Sequence, residues 1–377
     1  MFQAAKEFRI GRPQIFAGLM LLAFLAQGLW VAARRNLSPL EYEYIASGIS
    51  REAGTEYRIN SPFTSLVASV PVHLMRAARV IVPESWRPRL SIPWPWFMRL
   101  PFVIFGVWLG GALWWVARRL FDDSGGYVAL GLYCSSPAMV MIAGNIGPEI
   151  ILTWSIFGLV YTAIGVAHTL YAPPRKWAPR IVILGLSVGF ALATALWSFT
   201  LVLLAFAFML YLAPGRRRSV FIVLLGASGV ALLVLAAITW WMGGWTFGPR
   251  LWLHPQTTWE LARGMAFVFV DGYLLPGMFA LALLIYGTWK RARYFGNTAP
   301  LITAFTAVLL FALVLEGRVW VAPVGLTFAF VFVGGVAADV LETDLQKPAA
   351  VTLGAGFLLR IVLALSALHL WITKNNI

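Results

Sequence analysis

The chain is a succession of apolar segments, most of them near the roughly 20 residues a helix needs to cross a hydrocarbon core. They fall at 14–33, 98–116, 126–143, 150–170, 181–196, 198–213, 219–240, 273–289, 299–315, 320–338 and 352–371. Lipid offers no partner for backbone N–H and C=O groups, so such segments must satisfy themselves as helices. The expectation is an all-α integral membrane protein with about eleven transmembrane helices. Composition agrees: 60% of the 377 residues are hydrophobic and 12% charged, about half the charged share of a soluble domain.

The stretch 181–213 is long for one crossing and short for two. Arginine and lysine decide it. The sets Lys6/Arg9/Arg12, Arg118/Arg119, Arg175/Lys176/Arg180, Arg216/Arg217/Arg218 and Lys290/Arg291/Arg293 share one side only if the stretch splits near Trp197-Ser198. Positive charge marks the cytoplasmic side. The N-terminus is therefore expected in the cytoplasm, in a cell membrane of the bacterial inner-membrane kind. The first apolar run lacks a small-residue cleavage site and reads as an uncleaved helix.

A single polytopic domain over 1–377 follows, with two longer outer loops, 34–97 and 241–272. Within the first, "FTSLVASVPVHLMRAARVIV" (63–82) sets His73, Arg76 and Arg79 at helical spacing opposite an apolar face. Such a segment should lie in the interface, bent or restarted at Pro71. The Pro- and Trp-rich stretch 82–96 suits headgroup level.

Several function classes drop out. The net charge of +14 serves topology and lipid phosphates, and no soluble basic module exists to hold nucleic acid. Cys134, the one cysteine, lies in an apolar run, so no internal disulfide forms and no Cys/His metal cluster is present. No phosphate-binding glycine loop is found, which argues against an ATP-driven pump.

The chemistry must come from few polar residues. "LSPLEYEYIAS" (37–47) carries Glu41 and Glu43 at a membrane exit. Two residues apart, they point different ways; Glu41 is taken as the one facing a cleft. Partly shielded by Tyr42 and Tyr44, it would have a raised pKa, as a general base requires. The bland alternative is two interfacial charges. Glu149, after Pro148, opens a helix, either as a dipole-stabilising acid or as part of a site. Two acids and a phosphate could hold a divalent cation, although two acids specify no metal. Arg318 in "EGRVW" stands between apolar helices, where its fork could grip a phosphate or snorkel to headgroups. Arg58, Arg250 and His254 are further candidates for an anion, and Asp271 for a cavity or a turn. His168 and His369 read as structural.

Residues 99–154, "RLPFVIFGVWLGGALWWVARRLFDDSGGYVALGLYCSSPAMVMIAGNIGPEIILTW", with "EGRVWVAPVGLTFAFVFVGG" (316–335), resemble the membrane core of the GT-C glycosyltransferases. The branch is the dolichyl-phosphate-mannose protein mannosyltransferase-like group, which includes the aminoarabinose lipid A transferases. The resemblance implies transfer of a sugar from a polyprenyl-phosphate donor to a lipid or protein acceptor on the outer face. An acid after the first helix would act as base or orient the acceptor, and basic residues would hold the carrier phosphate. "SPLEYEY" (38–44) stands where the family has Ser/Asn-Pro-Asp-Glu and tyrosines: Glu41 matches the Glu, while Leu40 replaces the usual catalytic Asp. Glu149 matches the second acidic site and Arg318 the late arginine. Pro62 is kept, and Asn60 stands where a basic residue is common, a gap that Arg58 could fill.

The sequence thus points to a membrane glycosyltransferase with Glu41 as base, Glu149 in support, and Arg318, Arg58 and Arg250 on the donor phosphate. Leu40 keeps open a catalytically degenerate structural subunit of a larger membrane complex. A secondary transporter is disfavoured, because mid-helix ionisable residues and paired broken helices are scarce.

Overall fold

In the computed structural model, the structure describes residues 11–50, 61–81, 94–171, 177–242, 274–289, 294–313 and 321–374. The described residues are helical almost throughout. The helices are α1 (Arg12–Arg34), α2 (Pro39–Ser50), α3 (Pro62–Ile81), α4 (Pro95–Cys134), α5 (Pro137–Ala143), α6 (Pro148–Thr169), α7 (Ala178–Thr194), α8 (Phe199–Leu212), α9 (Arg217–Trp241), α10 (Leu274–Trp289), α11 (Tyr294–Leu313), α12 (Val321–Leu341) and α13 (Gln346–Lys374). Five in succession, α2 to α6, begin at a proline. Proline lacks an N–H that the first helical position would leave unbonded in any case, and its φ is already helical.

Among the described residues, six helices are long and apolar enough to cross a membrane, and Ala178–Thr194, Phe199–Leu212 and Gly277–Trp289 are shorter apolar helices. The expected split of 181–213 is present: α7 ends at Thr194, a 3-10 turn occupies Leu196–Ser198, and α8 starts at Phe199.

The expected separation of 98–116 from 126–143 holds: Pro95–Cys134 is two helices that meet at a break, where Phe121 (φ −134°, ψ 18°) and Asp122 (φ 62°, ψ −171°) leave helical geometry. One sequence expectation is corrected: the second segment does not run unbroken to 143 but is interrupted at Ser135-Ser136, ahead of α5. Of the two expectations for Pro71, the restart does not occur, because α3 runs through it.

The most buried span is α12, which packs along α4, α11, α6 and α10. Small residues let it approach α4: a side chain on Gly334 would meet the Gly125 carbonyl oxygen at 2.7 Å. Close backbone approach of this kind is how helices associate in lipid, where burial of apolar surface gives no drive. The same device joins α7 to α9, where Gly185 and Gly189 face Ala227, Val230, Ala231 and Val234. Outward residues such as Leu233 and Val351 are large, apolar and exposed, as a lipid-facing surface requires.

After α1, α2 and α3 pair as a hairpin. Gly48 allows it, since a Cβ there would lie 2.1 Å from the Ser65 carbonyl oxygen. The inner face of α3 is small and polar, with Ser61, Thr64, Ser65, Ala68 and Ser69 buried. Ser61 Oγ donates to the Thr194 carbonyl at 2.8 Å, and Phe63 stacks on Phe190 with centroids 4.6 Å apart. The hairpin is thereby fastened to the end of α7. His73 and Arg76 are exposed on the other face, as their spacing predicted.

Candidate functional site

One end of the bundle gathers the C-terminus of α1, the start of α2, the start of α4 and the segment 144–147 between α5 and α6. Glu41, in the first turn of α2, is 3% exposed, and Arg99, near the start of α4, is fully buried. Arg99 Nε donates to Glu41 Oε1 at 2.7 Å and Nη2 to Oε2 at 2.7 Å, a two-pronged pairing that fixes both orientation and distance. The remaining Arg99 donors reach the carbonyls of Ala32 (2.8 Å), Arg35 (2.7 Å) and Asn36 (2.8 Å). All five guanidinium N–H groups therefore have an acceptor, and the last carbonyls of α1, which lack intrahelical partners, have a donor.

The carboxylate of Glu41 is equally complete. Oε1 also accepts the Ile146 N–H at 3.0 Å and Oε2 the Ser38 N–H at 2.8 Å. An ionised carboxylate offers about four lone-pair sites, and all four are taken. Burial pushes this carboxyl upward, but the Arg99 hydrogen bonds and charge, with the Ser38 and Ile146 N–H groups, outweigh it and hold the pKa below the usual glutamate value of 4.5. The expected raised pKa is thus corrected. The tyrosine shielding expected on both sides holds only in part, since Tyr44 is buried and Tyr42 exposed. Glu41 does face inward and Glu43 outward, yet what Glu41 faces is an arginine and two backbone amides. In this geometry it has no free lone pair with which to take a proton from an acceptor or to join a cation shared with Glu149.

The Glu41–Ile146 bond brings Glu149 to the same corner. Gly147 is the N-cap of α6 and Pro148 its first residue. The Glu149 side chain folds back over Gly147, where a Cβ would fall 2.1 Å from Glu149 Oε2. An acid here lies over the positive end of the α6 dipole, and Glu149 is half-buried. Arg35 adds a cation. Its Nη1 donates to Asn145 Oδ1 at 2.5 Å, its Cζ lies 4.0 Å over the Trp371 ring of α13, and its Nε is buried without a hydrogen-bond partner among the described residues. Burial and the Arg99 charge disfavour its charged form, and the Glu41 charge partly offsets them. Leu40, at the position of the family's acid, is 44% exposed.

Of the expected site residues, Glu41 and Glu149 come together at one end. Arg318, Arg58 and Arg250 lie outside the described residues, as do His254 and Asp271. Among the described residues no cluster of three or more His, Cys, Asp or Glu could hold a metal ion. Arg99, Arg35 and Asn145 were not singled out from the sequence. Arg99 was visible inside "RLP", a run that carries the family resemblance but gives its arginine no role of its own.

A family model for dolichyl-phosphate-mannose-protein mannosyltransferase matches residues 94–241. Among solved structures, the apo oligosaccharyltransferase of Archaeoglobus fulgidus is similar with a TM-score of 0.62 and 12% identity, over 94% of this chain and 56% of that one. ArnT from Cupriavidus metallidurans bound to undecaprenyl phosphate gives 0.58 and 15%, over 89% of this chain and 62% of that one. The same ArnT in its apo state gives 0.55 and 14%, over 97% and 77%. The chain thus spans less than two thirds of the length of the first two. No match was found among curated protein sequences. At these identities the likeness establishes the fold: the chain has the membrane fold of the GT-C glycosyltransferases.

Proposed function

We propose that this GT-C-fold chain transfers a sugar from a polyprenyl-phosphate donor to an acceptor at the outer face of the membrane. The acceptor oxygen forms the new bond to the sugar's anomeric carbon as the bond to the carrier phosphate breaks. The acceptor proton passes to a carboxylate, and polyprenyl phosphate leaves. Glu149, half-buried at the start of α6 and at the second acidic site of the resemblance, is the proton acceptor in this reading. Glu41 is a positioning residue that holds segment 144–147, and with it the start of α6. Arg35, with Arg318 and Arg58 from the resemblance and Arg250 from its place in the sequence, would neutralise the leaving phosphate.

The observation that carries this function is the joining of the first outer segment to the Glu149 helix through the Glu41–Ile146 bond, on a fold shared with a protein captured with undecaprenyl phosphate. The test is transfer from synthetic polyprenyl-phosphate sugars in proteoliposomes. Wild type should consume a donor and Glu149→Gln should not. Equal turnover in the variant removes Glu149 from the chemistry.

The exposed Leu40 and the fully bonded Glu41 favour one second reading, a non-catalytic subunit of a membrane complex. It predicts no donor consumption by wild type and stoichiometric co-purification with unrelated membrane proteins.

A further inference from the structure

Arg360 lies midway along α13, within a candidate membrane span, and is fully buried. Its Nε donates to Ser135 Oγ at 3.0 Å and its Nη2 to the Leu132 carbonyl at 3.4 Å, while the Phe330 ring centroid lies 5.9 Å from Cζ. Its targets sit at the interruption between α4 and α5. There Pro137 has no N–H to give and the last carbonyls of α4 lose their usual partners.

The interruption borders a cavity of about 680 Å³ between α1, α4 and α13, lined by Gln27, Cys134, Ser135, Phe357 and Leu365 among others. At membrane depth an apolar space holds no water able to satisfy a broken helix. The chain supplies the donors itself. Gln27 Nε2 donates to the Cys134 carbonyl at 3.3 Å, Ser135 Oγ donates to the Gly131 carbonyl at 2.7 Å, and Arg360 completes the set. A cation at the C-terminal end of a helix also meets the negative end of its dipole.

From the interruption the chain runs into α5. Ser136 Oγ accepts the Met139 N–H at 3.2 Å, and every residue of this seven-residue helix is buried. The helix ends at Gly144, which abuts Val31 so closely that a Cβ would fall 2.8 Å from its Cγ1. Asn145 and Ile146, which bond Arg35 and Glu41, follow at once. A helix of this length is a strut of about 10 Å between Arg360 and the site.

We propose that Arg360 is a positioning residue: by closing the intramembrane break at Ser135-Ser136 it seats α5 and so sets segment 144–149 against Arg35 and Glu41. Its consequence for sugar transfer rests on the proposed function; the position of the segment does not.

The test compares wild type with Arg360→Met, Arg360→Lys and Ser135→Ala by hydrogen–deuterium exchange in detergent. In Arg360→Met, a peptide covering 144–149 should exchange about tenfold faster, the change expected when bonds to a charged group are lost. Helices α7 and α9, far along the chain, should keep their wild-type rates. Arg360→Lys should recover part of the protection. Wild-type exchange of 144–149 in folded Arg360→Met overturns the proposal, and so does equal acceleration in α7 and α9. Should Arg360→Met not fold, Ser135→Ala, which removes only a hydroxyl, carries the same two outcomes. In the transfer assay Arg360→Met should lower kcat with little change in KM; unchanged kcat despite a loosened segment overturns the positioning role. An inactive wild type would defeat the proposed function and leave the exchange result to decide on Arg360.

Discussion

Arg99 and Glu41 lie 58 residues apart in sequence and meet edge to edge, Nε to Oε1 and Nη2 to Oε2, both at 2.7 Å. Each also holds backbone, so the pair ties four chain segments at one point. Removing one member of a buried pair strands the other's charge, which costs about 3–5 kcal/mol. Arg99→Ala should therefore lose roughly that much, or fail to fold. Arg99→Lys should also be destabilised, because a point charge cannot serve five acceptors in one plane. Thermal unfolding in detergent, with a double-mutant cycle against Glu41→Gln, would measure the coupling. Near-additive effects would show that the pair is not a unit.

The depressed pKa of Glu41 makes stability depend on acid. A carboxyl whose folded pKa lies below its unfolded value contributes stability that is fully present above the unfolded pKa. That contribution is lost as pH falls through the folded value. Stability should thus be flat from neutrality down to about pH 5 and decline below the usual glutamate range. In Glu41→Gln the acid-dependent part should shrink and total stability at neutral pH should be lower. An unchanged acid profile in the variant would assign the decline to other carboxyls.

Gly147 tests Glu149 without touching its charge. The φ of Gly147 is −167°, extended backbone that any residue adopts, so Gly147→Ala carries no backbone strain. Its methyl group would instead claim the space of the Glu149 carboxylate, a flexible end that can swing away. Stability should change by less than about 1 kcal/mol, while sugar transfer should fall by at least about tenfold as the carboxylate is displaced. Full activity would mean that the folded-back conformer is not the productive one.

Gly48 tests the hairpin of α2 and α3. Here the added methyl would strike backbone, the Ser65 carbonyl oxygen at 2.1 Å, and backbone cannot rotate aside. Gly48→Ala should separate α2 from α3 at a cost of about 1–3 kcal/mol or more. Faster proteolysis of this hairpin, with the rest of the bundle unchanged, would report it. Wild-type resistance would show that the two helices can slide apart without loss.

The helical class, and the turn at 196–198, were legible because hydropathy and positive charge constrain each other: only a split of 181–213 put Arg216 on the side of the other clusters. The separation of 98–116 from 126–143 was legible too, and a tight break at Phe121 and Asp122, with Asp122 at positive φ, takes the place of a longer loop. The interruption at Ser135-Ser136 was not legible, because 126–143 reads as one unbroken apolar run. At the site, the acids were found because acids are rare in this chain, 15 in 377 residues. Their roles were not, because a carboxylate at a membrane exit looks the same whether it faces water or a partner 58 residues away. Arg360 was hidden inside its own apolar run, since composition does not reveal that the facing helix is cut at Ser135.

Trp371 covers the guanidinium of Arg35, although the two are separated by most of the polypeptide. A ribosome releases the exit of α1 long before it makes α13, so this corner cannot close until late in biosynthesis. Until then the Arg35 guanidinium lacks its aromatic cover, and the order of insertion itself becomes a checkpoint on when this end of the bundle acquires its final shape.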